Sequence, residues 1–287
     1  MLRIKLIPAG YGESIWVSVG ETERYNILID GGFGKTYQKY LEPEIKHIKE
    51  MNQKINLLVC THMDNDHIGG LISVLKEADS NLIENIWYNG FIQMVDSKFS
   101  SQKENKFTDR DNKILDVIIS QGQISDEEQE IGINEGMSFG VLVEEKRVPL
   151  NVITGGKAIC TGQIKNKYEI TKNVFITILG PSKNDIVELE KYWKNDMVSR
   201  NYMFRVSDKI KLMKAFEYQL ERIKSTVTYE KYKISRNEDL EKYIGELTEC
   251  DDSLVNRSSI SFILEYDNRK YLFLGDSVID KIMLDRI

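Results

Sequence analysis

Apolar and polar residues alternate along three short segments at the start of the chain. The segments are RIKLIPAG, ESIWVSVG and RYNILIDGG, and glycines separate them. A period of two is typical of strands that bury one face, and glycine favours the turns between strands. The pattern therefore predicts an opening β-meander.

A continuous apolar run follows, flanked by two helical patterns. EPEIKHIKEMNQ has helical spacing and an acidic start, whereas the run in KINLLVCTH predicts a strand that is buried on both faces. DHIGGLISVLKEAD then places Ile68, Leu71, Ile72 and Leu75 on one helical face. Asp66 lies where the N-cap of that helix is expected.

The second half of the chain changes character twice. NIWYNGF and VFITILGPS predict two strands, with a polar stretch (97–106) and a helix at RDNKILDVIISQ between them. Residues 184–249 are highly charged and predict helices at DIVELEKYWKND and DKIKLMKAFEYQLERIK, before two strands at SSISFILEY and KYLFLGD. We therefore expect a single domain over 1–287, with a helical insertion at about 184–249.

Composition excludes several classes of protein. The chain has 287 residues, 41% of them hydrophobic, and a net charge of −6, which is ordinary for a globular protein and gives no overall attraction to nucleic acid. No segment has the length of a membrane helix or the apolar core of a signal peptide. Cys60, Cys160 and Cys250 are far apart, which favours structural thiols in a reducing compartment. We expect a cytoplasmic protein.

Two histidines and two aspartates crowd into the loop LLVCTHMDNDHIGG. In an extended segment residues i and i+2 point the same way, so His62 and Asp64 can converge on one point. Asp66 and His67 can face a second point across the turn. Imidazole and carboxylate together suit zinc, manganese or iron, and the pattern favours a metal site over an aspartate-rich helix cap with incidental histidines.

These motifs resemble those of the metallo-β-lactamase superfamily. The loop THMDNDHIGG is similar to its H-x-H-x-D-H loop, and aspartate at the second ligand position resembles the ComEC/Rec2-like branch of DNA-uptake proteins. IPAGYGESIWV, NILIDGG, NRSSISFIL and YLFLGDS resemble further segments of that branch in the same order. The resemblance implies an α+β fold, a four-layer αββα sandwich with the site at one edge of its two sheets.

The resemblance also implies roles for individual residues. His62 and Asp64 would hold one divalent metal ion, Asp66 and His67 a second, and Asp276 would bridge the two, which would be zinc or manganese. Asp30 would orient the metal loop through hydrogen bonds.

The chain departs from the family pattern in two ways. The superfamily usually contributes two further histidines, and this chain has only His47, which precedes the loop in a helical pattern and is expected to be a surface or helix-packing residue. Only 11 residues follow Asp276 (287 minus 276), so we expect a truncated carboxyl terminus that lacks the last strands and the closing helix of the fold.

Three functions remain open at this point. The first is a metal-dependent phosphodiesterase or nuclease acting on DNA or RNA, either alone or with a protein partner. In it, metal-activated water would attack, and Asp64 or Asp66 would accept a proton. Asn256, Ser258 and Ser259 would contact the substrate. The second is a hydrolase of small esters, thioesters or lactones. The third is a non-catalytic interaction protein on a degenerate fold.

Overall fold

The computed structural model describes residues 1–21, 24–79, 81–95, 108–124, 138–163, 167–202, 209–224 and 253–277. Its strands are β1 (Leu2–Leu6), β2 (Ile15–Val19), β3 (Tyr25–Ile29), β4 (Leu57–Val59), β5 (Ile86–Trp87), β6 (Tyr168–Thr171), β7 (Val174–Gly180), β8 (Ser261–Tyr266) and β9 (Arg269–Phe273). Its first helix, α1 (Gly34–Thr36), continues through a π-helical turn (Tyr37–Leu41) into α2 (Glu42–Glu50). The other helices are α3 (Asn65–Glu77), α4 (Phe91–Val95), α5 (Asp109–Ile124), α6 (Phe139–Lys146), α7 (Lys183–Ser199), α8 (Lys209–Lys224) and α9 (Leu254–Arg257), with a 3-10 turn at Val152–Thr154.

The strands form two sheets. The first sheet has the order β1-β2-β3-β4-β5, in which the opening meander is antiparallel and β3, β4 and β5 run parallel. The second sheet, β6-β7-β8-β9, is antiparallel throughout. The predicted β-meander is confirmed.

The two sheets pack face to face. One apolar core joins side chains of both: Ile15, Val17, Ile27, Ile29, Leu57 and Val59 from the first sheet, and Val174, Ile176, Ile178, Phe262, Leu264 and Phe273 from the second. Burial of these branched and aromatic side chains removes apolar surface from water and stabilises the sandwich.

Helices cover the outer face of the first sheet. Leu28 and Leu58 point into a second core together with residues of α2, α3, α6, α7 and α8. Strand β4 is buried on both faces, because Leu57 and Val59 face the second sheet while Leu58 faces the helices. The α+β two-sheet sandwich expected from the sequence is confirmed.

Three expectations about local structure need correction. The strand predicted at NIWYNGF ends at Trp87, because the backbone N–H of Tyr88 bonds to Asn151 Oδ1 instead of a neighbouring strand. The predicted N-cap of α3 is wrong: Asp64 occupies that position, and Asp66 lies in the first helical turn. Strand β6 and helix α6 were not predicted.

The other predicted elements are present. The helices expected at RDNKILDVIISQ, DIVELEKYWKND and DKIKLMKAFEYQLERIK correspond to α5, α7 and α8. The polar stretch 97–106 and the carboxyl-terminal residues from 278 lie outside the described residues, as do 203–208 and 225–249 of the predicted insertion. In the described part of the chain, no helix is long and apolar enough to cross a membrane.

Candidate metal centre

The predicted metal loop lies where several strands end. Asp30 follows β3, and Thr61 and His62 follow the parallel strand β4, so the three residues come to the same edge of the first sheet. Asp276 follows β9 of the second sheet, after Gly275 with a φ of 54°. Residues far apart in the sequence meet here because the parallel strands β3 and β4 end at one edge of the first sheet, and the packing of the two sheets brings the end of β9 to that edge.

Glycines allow the supporting backbone segments to touch. A Cβ atom on Gly12 would lie 1.7 Å from the carbonyl oxygen of Asp66, and one on Gly70 would lie 2.0 Å from the carbonyl oxygen of Gly31. The backbone N–H of Gly31 donates to the His67 carbonyl at 2.7 Å. The metal loop and the start of α3 are therefore pressed directly against the loops after β1 and β3.

Asp30 orients His67. The carboxylate oxygen Oδ2 of Asp30 lies 2.9 Å from His67 Nδ1, and Asp30 is fully buried. With Nδ1–H donating to the carboxylate, the other ring nitrogen of the neutral imidazole carries a lone pair. That nitrogen, Nε2, lies 3.4 Å from Asp276 Oδ1.

Thr61 links Asp30 to His62 and so orients the second imidazole. Asp30 accepts the Thr61 backbone N–H at 2.8 Å and the Thr61 hydroxyl at 2.6 Å. Because that hydroxyl proton is directed at Asp30, the Thr61 oxygen accepts from His62 Nδ1 at 3.0 Å. Ser259 Oγ lies 3.2 Å from the same nitrogen. The network thus leaves the Nε2 lone pair of His62 directed at the site.

The two Nε2 atoms converge with carboxylate oxygens. His62, His67 and Asp276 offer ligand atoms within 4.8 Å of one another, and the two imidazole rings have centroids 4.1 Å apart. His62 Nε2 also lies 2.9 Å from Asp64 Oδ2. A bare imidazole nitrogen and a carboxylate oxygen are both acceptors, so positive charge is required between them.

This donor set fits a divalent cation. Imidazole nitrogen and carboxylate oxygen suit zinc and manganese, and each histidine has its second nitrogen held by a protein group, as metal-binding histidines do. Burial alone lowers the pKa of His67, but Asp30 and Asp276 more than offset this, and the net pKa is well above the ordinary value. In the metal-free protein, the positive charge of protonated His67 therefore offsets part of the negative charge of Asp30 and Asp276 that a bound cation would otherwise balance.

Glu13 is a site residue that was not predicted from the sequence. Its carboxylate lies with Asp30 and His67 in a second group of ligand atoms within 4.8 Å of one another. Burial and the negative charges of Asp30 and Asp276 raise the pKa of Glu13 to about 7, although His67 lowers it. The available signal in the sequence was the position of Glu13 in GYGES, directly after Gly12. Gly12 is the glycine that contacts Asp66 in the structure.

The remaining predicted site residues are Asp64, Asp66, Asn256, Ser258 and Ser259. Asp64 precedes α3 and lies beside His62, whereas Asp66 is half-buried in the first turn and belongs to neither group of ligand atoms found in the described residues. Asn256, Ser258 and Ser259 are buried, with Ser258 Oγ donating to the Val255 carbonyl. Their contact with a substrate stays a prediction.

A buried network supports the metal loop from the helical side. Tyr88 lies between Met63 of the loop and Glu217 of α8, with its hydroxyl 3.4 Å from Met63 Sδ and 2.6 Å from Glu217 Oε1. Glu217 also accepts the backbone N–H groups of Phe139 and Gly140 at the start of α6, each at 2.9 Å. Burial raises the pKa of Glu217, although these donors lower it.

The position of the metal loop within this fold agrees with a known family. Residues 10–130 match the metallo-beta-lactamase superfamily. The matched part of the chain contains Glu13, Asp30, His62 and His67, whereas Asp276 lies beyond it. No curated protein matches the chain. The match to the metallo-beta-lactamase superfamily, together with the convergent imidazoles, suggests a metal-dependent hydrolase.

Proposed function

We propose that this protein is a metal-dependent hydrolase whose centre is formed by His62, His67, Asp64 and Asp276. The observation that carries the proposal is the convergence of both imidazole Nε2 atoms on the Asp276 carboxylate. A bound divalent cation lowers the pKa of its water ligand toward 7 and so supplies a nucleophile at neutral pH. Asp66 and His67 would hold a second ion with Asp276 as a shared ligand, and the expected metals are zinc or manganese.

The residues of the chain have three tasks in this proposal. Asp30 and Thr61 hold both imidazoles with Nε2 directed at the site. Asp276, whose side chain is 35% exposed, lies on the solvent side where a substrate enters. Asp64 or Asp66 accepts the proton that the attacking water loses, and Asp66 is the more accessible of the two.

The proposed substrate is a phosphodiester in DNA or RNA. The order of the motifs, from GYGES through THMDNDHIGG to YLFLGDS, supports this choice because it resembles the ComEC/Rec2-like branch. A second candidate, a small ester, thioester or lactone, is favoured by the charges around the site. Arg257, which lies beside Ser258 and Ser259, forms ion pairs with Asp185 and Glu188. It is therefore not directed toward a polyanion.

The decisive experiment is the metal content of the full-length protein, measured by elemental mass spectrometry. We compare the wild type with Asp276→Asn and with Asp267→Asn, a control in the exposed turn between β8 and β9. The wild type and Asp267→Asn should retain about one to two ions per chain, and Asp276→Asn should lose most of them. Circular dichroism checks that all three proteins are folded.

Activity then separates the substrate classes. The metal-loaded protein is assayed with bis-p-nitrophenyl phosphate, single-stranded DNA and p-nitrophenyl acetate. Cleavage of the two phosphodiesters that Asp276→Asn abolishes supports the nuclease, and cleavage of the ester alone supports the second candidate. Absence of metal from the wild type, even after incubation with zinc and manganese, would overturn the hydrolase and favour a non-catalytic interaction protein.

A further inference from the structure

A cavity of about 330 Å³ lies on the opposite side of the first sheet from the second sheet. Its walls come from the outer face of β1, β2 and β3 and from helix α2, and it is lined by Arg3, Lys5, Arg24, Ser18, Asn26 and Glu44 among others. Such a volume is in the range of small-molecule sites, which begin at about 300 Å³.

The strand register brings the polar residues of this cavity side by side. Arg3 of β1 is paired with Ser18 of β2, and Ser18 is paired with Asn26 of β3. Lys5 is two residues from Arg3, so both side chains project from the same face of the sheet. The alternation in LRIKL predicts a strand, and in the folded protein it also places Arg3 and Lys5 together in one wall of the cavity.

The cavity carries an excess of positive charge. Arg3, Lys5 and Arg24 are cationic, and Glu44 is the one carboxylate in the lining, where it forms an ion pair with Lys5. Among the described residues neither Arg3 nor Arg24 takes part in an ion pair. Three positive charges and one negative charge leave two in excess, in a chain whose net charge is −6.

The floor of the cavity is polar and held in place. Trp16 Nε1 donates to Ser18 Oγ at 3.0 Å, and Ser18 Oγ donates to Asn26 Oδ1 at 2.8 Å. Asn26 Nδ2 donates to the Lys54 carbonyl at 2.9 Å. These buried groups satisfy one another's hydrogen bonds. The floor can therefore accept a hydrated polar ligand without any of these groups changing its partner.

We propose that this cavity binds a small phosphorylated molecule, at a site separate from the metal centre. Two guanidinium groups, which leave two positive charges in excess of the Lys5–Glu44 ion pair, match the oxygens and the double negative charge of a phosphate ester. Asn26 lies near the beginning of β3 and Asp30 follows its end, so the two sites are separated by about 13 Å along the strand. The site goes beyond the proposed hydrolase and does not depend on it.

The shape of the cavity favours a small ligand over a nucleic-acid backbone. The lining residues lie between the sheet face and α2, and Glu44 stands among the basic groups. A carboxylate at this position repels each of the adjacent phosphates of a continuous polyanion, whereas a ligand with a single phosphate group presents less negative charge to it.

Isothermal titration calorimetry of the full chain tests the proposal. The probes are pyrophosphate and adenosine 5′-monophosphate, and EDTA is present so that the metal centre does not bind them. The double variant Arg3→Gln, Arg24→Gln is compared with Lys172→Gln, Arg269→Gln, which removes two exposed basic residues, one in the turn between β6 and β7 and one in β9. We expect the cavity variant to bind at least one probe about tenfold more weakly than the wild type, and the control to be unchanged.

Three outcomes would overturn the site. They are no binding of either probe by the wild type at about 1 mM, equal weakening in both double variants, and binding of a single-stranded oligonucleotide but of neither small probe. The last outcome would indicate a polyanion surface instead. Thermal unfolding of both variants checks that the fold is intact, and the metal content remains a separate readout for the hydrolase.

Discussion

A single carboxylate controls most of the geometry of the candidate metal centre. Asp30 accepts the Thr61 backbone N–H, the Thr61 hydroxyl and His67 Nδ1, and through Thr61 it also determines which ring nitrogen of His62 carries the proton. Its left-handed backbone conformation, with a φ of 51°, directs the side chain from the end of β3 toward the metal loop. Metal affinity should therefore depend on a residue that need not touch the metal.

The substitution Asp30→Asn tests this dependence. An amide offers one acceptor oxygen where the carboxylate offers two, so either His67 or Thr61 loses its partner. We expect metal affinity to fall about 10–100-fold and the free energy of unfolding to fall by about 1–3 kcal/mol. Metal titration and urea unfolding measure the two effects. The exposed control Asp79→Asn should change neither by a comparable amount, and unchanged affinity in Asp30→Asn would refute the orienting role.

Glu13 gives the metal-free protein a pH-dependent stability. Its pKa is about 7 in the folded protein against an ordinary value of 4.5, so the folded state holds the proton more tightly. The stability that this proton contributes is fully present below about pH 4.5 and is lost as the pH rises to about 7. At pH 8 the ionised carboxylate therefore destabilises the metal-free fold.

The substitution Glu13→Gln should remove the loss of stability that the ionised Glu13 carboxylate causes at high pH. In EDTA at pH 8 we expect the variant to be more stable than the wild type by about 1–3 kcal/mol, with little difference at pH 4.5. Urea unfolding at a series of pH values measures the difference, with the exposed Glu50→Gln as a matched control. A stability difference that does not change with pH would contradict the prediction.

At the scale of secondary-structure elements, close packing decides where the metal loop lies. Helix α3 approaches the loop after β3 so closely that glycine is required at Gly31 and Gly70, where a Cβ atom would meet backbone. The glycine pair in DHIGG therefore does more than permit a turn. It sets the distance between the helix that carries His67 and the strand end that carries Asp30.

The substitution Gly70→Ala tests whether the higher helix propensity of alanine or the close contact between α3 and Gly31 decides stability. Alanine is favoured over glycine inside a helix by about 1 kcal/mol, but its Cβ would lie 2.0 Å from the Gly31 carbonyl oxygen. We expect the clash to prevail and the free energy of unfolding to fall by about 1–3 kcal/mol, with weaker metal binding. Ser73→Ala on the same helix should be close to neutral. A stabilised Gly70→Ala would show that the two segments can separate without cost.

At the scale of the whole molecule, the candidate centre joins the two sheets. His62 and His67 follow β4 of the first sheet, and Asp276 follows β9 of the second. A cation at this point would bridge parts of the chain more than 200 residues apart. Binding to the folded state alone must then stabilise the whole sandwich.

Metal removal should therefore lower thermal stability. With zinc or manganese at about 100 times its dissociation constant, the folded state gains about 2.7 kcal/mol, so we expect EDTA to lower the Tm by several degrees. Scanning calorimetry with and without EDTA measures the shift. In Asp276→Asn the shift should be much smaller, whereas the same Tm for wild-type protein in metal and in EDTA would show that no ion is bound.

Much of the fold could be predicted because it follows from local pattern. The alternation in the opening segments and the apolar run in KINLLVCTH predict strands that the structure contains, and the spacing in DHIGGLISVLKEAD predicts α3. Helix α6 was missed although Ser138 is a local N-cap, and its start also depends on a distant residue: Glu217 accepts the N–H groups of Phe139 and Gly140. Strand β5 is shorter than predicted since Asn151 takes over its hydrogen bonding at Tyr88.

The sequence by itself determined the opening meander, the buried strand β4, helix α3 and the crowding of His62, Asp64, Asp66 and His67 in one loop, because these depend on residues that are neighbours in the chain. Only the tertiary structure decided that Glu13 lies beside Asp30 and His67, that Asp66 stands apart from the convergent imidazoles, and that Arg3 and Arg24 line one cavity. The physical reason is that strand pairing and close glycine contacts bring together residues whose separation in sequence carries no signal.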